Sequence, residues 1–370
     1  MSEKVRHVLG ISGGKDSAAL AIYMHKHYPE IDMEYYTCDT GKELEATYQL
    51  IDRLEIFLGK KIIQLRAAEG STEDPFDHFF KVYGGYLPSS NARWCTKKLK
   101  LEPFEAFVGT DPVVSYVGIR ADENREGYIS KKSNIQSIFP FRKNIWSEDV
   151  ILKALKNSNI PALEEAYAFL FPKTDVRTFD IIRQPISVRF MVQQKLELLL
   201  DSGIKAFNHA VFQLLKTTGY PLATEASFSL VNNEEMLVRE NIFDLLRNSG
   251  VGVPEYYQEK HFRVDGTDGK YARSRSGCYF CFFQQKIEWV WLYEQQPEWF
   301  QKAMQYEDEK AGFTWNQNES LLQLINPARI EEIKKEYLAS MERKNKKIKS
   351  SNLVDILNDA EEEGCAACFI

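Results

Sequence analysis

Two periodicities alternate along the first 150 residues of the chain. Short apolar runs of strand length are each followed by a longer stretch with helical spacing. Val5, Val8, Leu9 and Ile11 predict a strand over Val5 to Ile11, and Ala18, Ala19, Leu20 and Ala21 sit in a predicted helix over Asp16 to His27. The pattern repeats as a strand over Met33 to Thr37, a helix over Glu43 to Leu58 and a strand over Lys61 to Leu65. Another helix begins near Thr96, and another strand covers Val113 to Gly118. This alternation predicts an α/β fold built on a doubly wound parallel sheet with helices on both faces. Ligands of such sheets sit beyond the C-terminal ends of the strands, where the strand order reverses. Three segments fall at predicted strand ends: Ser12 to Ser17, Asp39-Thr40-Gly41, and Gly118-Ile119-Arg120.

From about Ser147 the pattern becomes helical, with Ser147-Glu148-Asp149 as an N-cap cluster before Val150, Ile151 and Leu155. Further helices are predicted at Val188 to Leu200, Ile204 to Leu215, Glu234 to Leu246, Gln284 to Glu294 and Ala328 to Lys344. The expected organisation is a nucleotide-binding core over 1–150, a helical insertion over 151–240, and a helical C-terminal region over 241–370.

Composition narrows the function. A 44% hydrophobic and 27% charged chain is ordinary for a water-soluble globular protein. No apolar run is long enough to span a bilayer, and Glu3, Lys4 and Arg6 do not form a signal peptide, so the expected location is the cytoplasm. There, six cysteines read as metal-binding or catalytic rather than disulfide-bonded. The net charge of −6 argues against a protein that grips long DNA over its whole surface. A nucleic-acid contact would be local, at Arg93, Lys97, Lys98 and Lys100, or made by a partner.

The chemistry is concentrated in Ser12-Gly13-Gly14-Lys15-Asp16-Ser17. Two glycines at a strand-to-helix turn let backbone N–H groups approach an anion, and the helix N-terminus adds positive potential. Lys15 adds a point charge, and Ser12 and Ser17 add hydroxyls. The loop suits phosphate, but Asp16 stands where a Walker A loop needs Ser or Thr. At the second strand end, Asp39 and Thr40 can bond a ribose or adenine edge, with Gly41 permitting the turn; the plainer reading is an Asx turn ahead of the next helix. Arg93-Trp94-Cys95-Thr96-Lys97-Lys98 places a thiol at a helix start among basic side chains, both of which favour thiolate. Arg120, beside Gly118, can clamp phosphates bidentately, or it can pair with Asp122 or Glu126 at the surface. Cys278-Tyr279-Phe280-Cys281 reads as two buried thiols or half of a zinc site, and Cys38 as a buried strand-end thiol.

Ser12 to Ser17 resembles the SGG-x-DS loop of the PP-loop ATP pyrophosphatases, which split ATP between the α and β phosphates and transfer AMP. With Asp39-Thr40-Gly41-Lys42-Glu43, Arg93 to Lys100, Val117-Gly118-Ile119-Arg120-Ala121-Asp122-Glu123, Phe139-Pro140-Phe141 and Gly277 to Cys281, the chain resembles the phosphoadenosine-phosphosulfate-reductase-like branch of that family. It lacks the ECG-type catalytic tail of the reductases. Its closer similarity is to the ATP pyrophosphatase component of DNA phosphorothioation systems, the DndC/SspD type. That resemblance implies adenylation of a DNA backbone phosphate for sulfur insertion, in a modification or phage-defence setting. The first alternative is a reductase of adenylyl or phosphoadenylyl sulfate. A further one is a tRNA-thiolating enzyme.

The resemblance also implies site roles. ATP with Mg²⁺ would lie against Ser12, Gly13, Gly14, Lys15, Asp16 and Ser17, with Asp39, Thr40 and Gly41 bordering the adenosine and Gly118 and Arg120 at the phosphates. Lys15, Asp16, Arg120 and Cys95 would be catalytic. Cys95, Cys278 and Cys281 would bind a [4Fe–4S] cluster with one open iron. A rival set of Cys278, Cys281, Cys365 and Cys368 would bind structural zinc, and a third reading makes Cys365 and Cys368 a persulfide carrier. Expected partners are a cysteine desulfurase and a DNA-nicking or DNA-binding subunit.

Overall fold

A computed structural model describes residues 4–123, 130–275 and 277–347. Five strands form one parallel sheet: β1 (Arg6–Gly10), β2 (Met33–Asp39), β3 (Ile62–Arg66), β4 (Val113–Tyr116) and β5 (Ile135–Ile138). The order is β3-β2-β1-β4-β5. The chain winds outward from β1 through β2 to β3, then returns to the other side of β1 for β4 and β5. The reversal therefore lies between β1 and β4. The expected doubly wound sheet is present, and in sheets of this kind the ligand crevice lies between the loops after these two strands.

The period of two along each strand divides the sheet's faces. Leu9, Tyr35, Val114 and Tyr116 belong to one core cluster with helix α1 (Lys15–His27) and helix α2 (Glu45–Leu58). Val8, Tyr36 and Val113 point into a smaller cluster with Phe104 and Val108 of the helix Glu102–Val108. Helix α1 is buried from Lys15 through Met24. Its alanines at 18, 19 and 21 are small enough for close approach to the sheet on one side and to neighbouring helices on the other.

The helical pattern after Ser147 is realised in the helices Ile160–Leu170, Val176–Arg183, Val192–Ser202 and Ile204–Leu215. Their buried side chains, among them Tyr167, Ile182, Leu199 and Phe207, are continuous with the core cluster of the sheet. Lys195 is fully buried there; its ammonium donates to the carbonyls of Ile182 and Gln184 at 2.7 and 2.8 Å. It thus covers the open carbonyls at a helix C-terminus.

A second aromatic core joins helix α3 (Pro75–Val82) and Trp94 to the C-terminal part of the chain. Phe76 lies 5.1 Å from Trp94 and 4.5 Å from Phe280, ring centre to ring centre. Phe280 stacks on Trp315 at 4.7 Å. This core seats the segment around Cys278 against the loop that follows β2.

Several elements depart from the sequence expectations. β5 and the hairpin Lys260–Val264 with Thr267–Tyr271 are strands that the apolar pattern does not announce. β5 carries Gln136, which is buried because its side-chain oxygen accepts the N–H of Leu222 at 3.1 Å. α3 has a readable start, Asp74-Pro75 at the N-cap and first helical position, yet no flanking strand pair marks it. No helix among the described residues is long and apolar enough to cross a membrane. Cys365, Cys368 and Glu126 lie outside the described residues.

Candidate functional site

The loop after β1 is a turn that only its sequence permits. Gly13 has φ +72°, and a Cβ there would fall 2.1 Å from Thr47 Cγ2 on α2. Within the loop, the Ser12 amide donates to Ser17 Oγ at 3.2 Å and the Gly14 amide to Ser12 Oγ at 3.4 Å. Ser17 Oγ donates to the Gly14 carbonyl at 3.2 Å. The hydroxyls thereby hold amide donors of the helix start, where phosphate oxygens bind in loops of this shape.

Asp16 is the electrostatic centre. It is 3% exposed and accepts from Lys15 Nζ at 2.9 Å on one oxygen and from Arg120 Nη1 at 2.8 Å on the other. Burial works to raise its pKa, but the charges and hydrogen bonds of Lys15 and Arg120 outweigh it and hold the carboxyl below its ordinary range. Burial likewise works against the charge on Arg120, and Asp16, Glu123 and Asp122 more than offset it. Arg120 also pairs with Asp122 at 2.9 Å and Glu123 at 2.6 Å. The sequence offers Arg120 as a phosphate clamp or as a surface ion pair with Asp122 or Glu126. The structure pairs it with Asp122 and anchors it on Asp16, which ties the loop after β1 to the segment after β4.

Gly118 is what lets that side come close. A Cβ on it would stand 2.9 Å from the Asp16 carbonyl oxygen and 3.0 Å from its carbon. Gly118→Ala is therefore expected to cost about 1–3 kcal/mol through forced separation of β4 and α1. Chemical denaturation measures this; an unchanged midpoint would mean that the backbone yields without cost.

Tyr256 and Tyr257, from a short 3₁₀ turn of the C-terminal region, close the loop from the opposite direction. Tyr256 donates its hydroxyl to the Gly13 carbonyl at 2.8 Å. Tyr257 accepts from the Lys15 amide at 3.3 Å, and the Lys15 ammonium lies 5.1 Å above its ring. Sequence reasoning misses both, because nothing local distinguishes a tyrosine that reaches a loop 242 residues away from one that fills a core.

At the end of β2, Asp39 makes the expected Asx turn: its Oδ1 accepts from the Gly41 amide at 2.9 Å. Tyr48 and Gln64 donate to the same carboxylate at 3.0 Å each. Thr40 donates to Glu43 Oε1 at 2.6 Å and lies 3.2 Å from Cys278 Sγ. Glu43 and Cys278 also pair as an isolated antiparallel bridge, and the Tyr279 amide donates to the Lys42 carbonyl at 2.9 Å. The CxxC segment is thus seated on the Asp39–Glu43 loop. Burial raises the Glu43 carboxyl, against the Thr40 hydrogen bond; it also raises the Cys278 thiol, with added repulsion from Glu43. Burial pushes Cys38 up to about 12, and its thiol donates to the Lys100 carbonyl at 3.7 Å. It stands within the end of β2, partly rather than fully buried.

Cys95 stands in the short helix Trp94–Thr96 and packs against the same aromatic core as Cys278. Arg93 and Arg275 each stack on Phe283 at 5.0 Å, which ties the segment before Cys95 to the one after Cys281. Lys98 is committed to Glu102 at 2.8 Å. The fold brings the cysteine segments into one neighbourhood. Yet no three His, Cys, Asp or Glu among the described residues converge as a metal-ligand group.

A doubly wound parallel sheet with a glycine-serine loop at its reversal point is an architecture shared by many nucleotide-binding α/β domains. Comparison with known proteins narrows the class. Residues 6–163 match the family model of the phosphoadenosine phosphosulfate reductase domain. An uncharacterized protein of Methanocaldococcus jannaschii is 33% identical over 160 residues, covering 39% of this chain and 32% of that protein. An adenosine 5'-phosphosulfate reductase of Staphylococcus haemolyticus is 24% identical over 159 residues, covering 42% of this chain and 62% of that protein. A second uncharacterized protein of Methanocaldococcus jannaschii is 28% identical over 160 residues, covering 39% of this chain and 36% of that protein. The chain thus spans between 32% and 62% of the length of these relatives.

Proposed function

We propose that the protein is a sulfur-metabolism enzyme that cleaves ATP between the α and β phosphates and uses the adenylated product for sulfur transfer to a nucleic-acid backbone. One observation carries the reading. The Cys278 thiol lies 3.2 Å from Thr40, at the same sheet end as the Ser12–Ser17 loop. A nucleotide loop and a thiol segment on one crevice suit a reaction in which an activated phosphate meets sulfur. Ser12, Gly13, Gly14, Lys15 and Ser17 would take the departing pyrophosphate through amide, hydroxyl and ammonium donors. Asp16 would hold Lys15 and Arg120 in place, and Mg²⁺ would bind with the nucleotide. Asp39, Thr40 and Gly41 would border the adenosine. Cys95, Cys278 and Cys281 would hold an iron–sulfur cluster, or Cys278 and Cys281 with Cys365 and Cys368 a structural zinc, and no step is assigned to either. A cysteine desulfurase and a DNA-nicking or DNA-binding subunit are the proposed partners, with phosphorothioation of DNA as the specific outcome.

A second reading, reduction of adenylyl sulfate, is favoured by the similarity to the staphylococcal reductase. One experiment separates the two. Purified protein is given ATP, a sulfur-labelled donor with a desulfurase, and either DNA or tRNA; a parallel reaction receives adenylyl sulfate and a thiol reductant. Pyrophosphate release with label in DNA supports the first reading. Label in tRNA alone redirects the substrate, and sulfite release without pyrophosphate establishes the reductase.

A further inference from the structure

Arg273 carries a charge for which the described residues provide no counter-ion. It lies just past the hairpin strand Thr267–Tyr271 and is 3% exposed. Nη2 donates to the Cys278 carbonyl at 3.0 Å and to Gln284 Oε1 at 3.3 Å. Nε and Nη1 have no hydrogen-bond partner, and neither does Nε2 of Gln284, itself 6% exposed. Arg273 is the only guanidinium among the described buried side chains left this way. Its backbone neighbour Ser274 engages Glu288, whose oxygens accept from the Ser274 amide and hydroxyl and from the Gln285 amide. That carboxylate makes no ion pair with Arg273.

Buried charges in folded proteins are paired, and buried donors are satisfied. Three unpartnered nitrogen donors around one fixed positive charge are complementary to an acceptor-only anion. The position is specific. The Arg273 amide donates to the Tyr256 carbonyl at 3.0 Å, and the guanidinium lies 5.9 Å from the Tyr256 ring. The Tyr256 hydroxyl donates to Gly13 of the phosphate loop, while the other side of Arg273 holds Cys278. Arg273 is therefore interposed between the two halves of the crevice.

We propose that Arg273 and Gln284 form a subsite for a tetrahedral oxyanion of phosphate or sulfate type, a second anionic group of the substrate held on the thiol side of the phosphate loop. This goes beyond the proposed ATP site, whose residues all lie at the end of β2, in the loops after β1, β2 and β4, and in the first turn of α1. Its occupation requires the short segment that carries Arg273 to open far enough to admit the anion, so anion binding and exposure of this segment are linked.

Calorimetric titration of the full chain with inorganic pyrophosphate, phosphate and sulfate tests it, beside thermal melting of each variant. Arg273→Gln is expected to weaken oxyanion binding at least tenfold while keeping or raising the melting temperature, because a buried unpaired charge is removed. A merely structural arginine would instead lower the melting temperature and leave anion affinity unchanged. Gln284→Glu supplies an internal counter-charge; it is expected to stabilise the fold and to weaken anion binding at least tenfold, which keeps the test open should Arg273→Gln fail to fold. In the Lys15→Ala background, where the pyrophosphate loop is disabled, preference for phosphate over sulfate assigns a phosphoryl group, and the reverse assigns a sulfuryl group. Wild-type affinity in both variants, or no saturable binding by the wild type, overturns the proposal. Loss of ATP binding in Lys15→Ala with Arg273-dependent oxyanion binding retained supports the subsite independently of the phosphate loop. Absence of ATP binding in the wild type would sink the proposed function alone.

Discussion

Lys15→Ala is expected to lower pyrophosphate release by roughly 10²–10³-fold, the scale of losing one preorganised charge at a transition state. Lys15 is 7% exposed, held 2.9 Å from Asp16 and 5.1 Å above the Tyr257 ring, so it is already fixed where the loop would receive the departing group. The fold should survive. Asp16 keeps its bond to Arg120, and the lost charged hydrogen bond costs about 1.5–3 kcal/mol. AMP and pyrophosphate measured in steady state, with circular dichroism to check the fold, decide the matter. Unchanged turnover in a folded variant would remove the loop from the chemistry.

Asp16→Asn carries the largest expected loss of stability. The substitution keeps the size of the side chain and removes the charge that Lys15 and Arg120 share. Two cations would then face each other in a buried site, and breaking such a pair from one side costs about 3–5 kcal/mol. Urea denaturation reads the effect; a midpoint equal to that of the wild type would sink it. The same residue sets an acid limit. Its folded pKa lies below the ordinary 3.8, so its contribution is complete above that value and is lost as pH falls through the depressed one. Wild-type stability should therefore fall more steeply than that of Asp16→Asn as the pH drops below 3.8.

The sequence is informative where function depends on local backbone shape. Gly13, with φ +72°, and the helix that follows it are fixed by neighbours in the chain, and the reading of a phosphate loop needs nothing further. The Asx turn at Asp39 is legible for the same reason. Arg120 is legible as an arginine at a strand end, but its partner across the sheet is not. Whether a guanidinium reaches a ligand or a carboxylate depends on which side chain stands across the crevice, and Asp16 is 104 residues away in sequence. Tyr256, Tyr257 and Arg273 give no signal, since their partners in the loop and the CxxC segment are set by how the C-terminal part docks.

By itself, the order of apolar runs and helical stretches determined an α/β parallel sheet and which loops follow its strand ends, because periodicity and turn chemistry are local properties. The tertiary structure decided the rest: that β1 and β4 meet at the reversal, that Asp16 locks Lys15 and Arg120 together, and that Cys278 sits on Thr40. Those outcomes come from burial and charge pairing between distant segments, which a single chain of letters does not encode position by position.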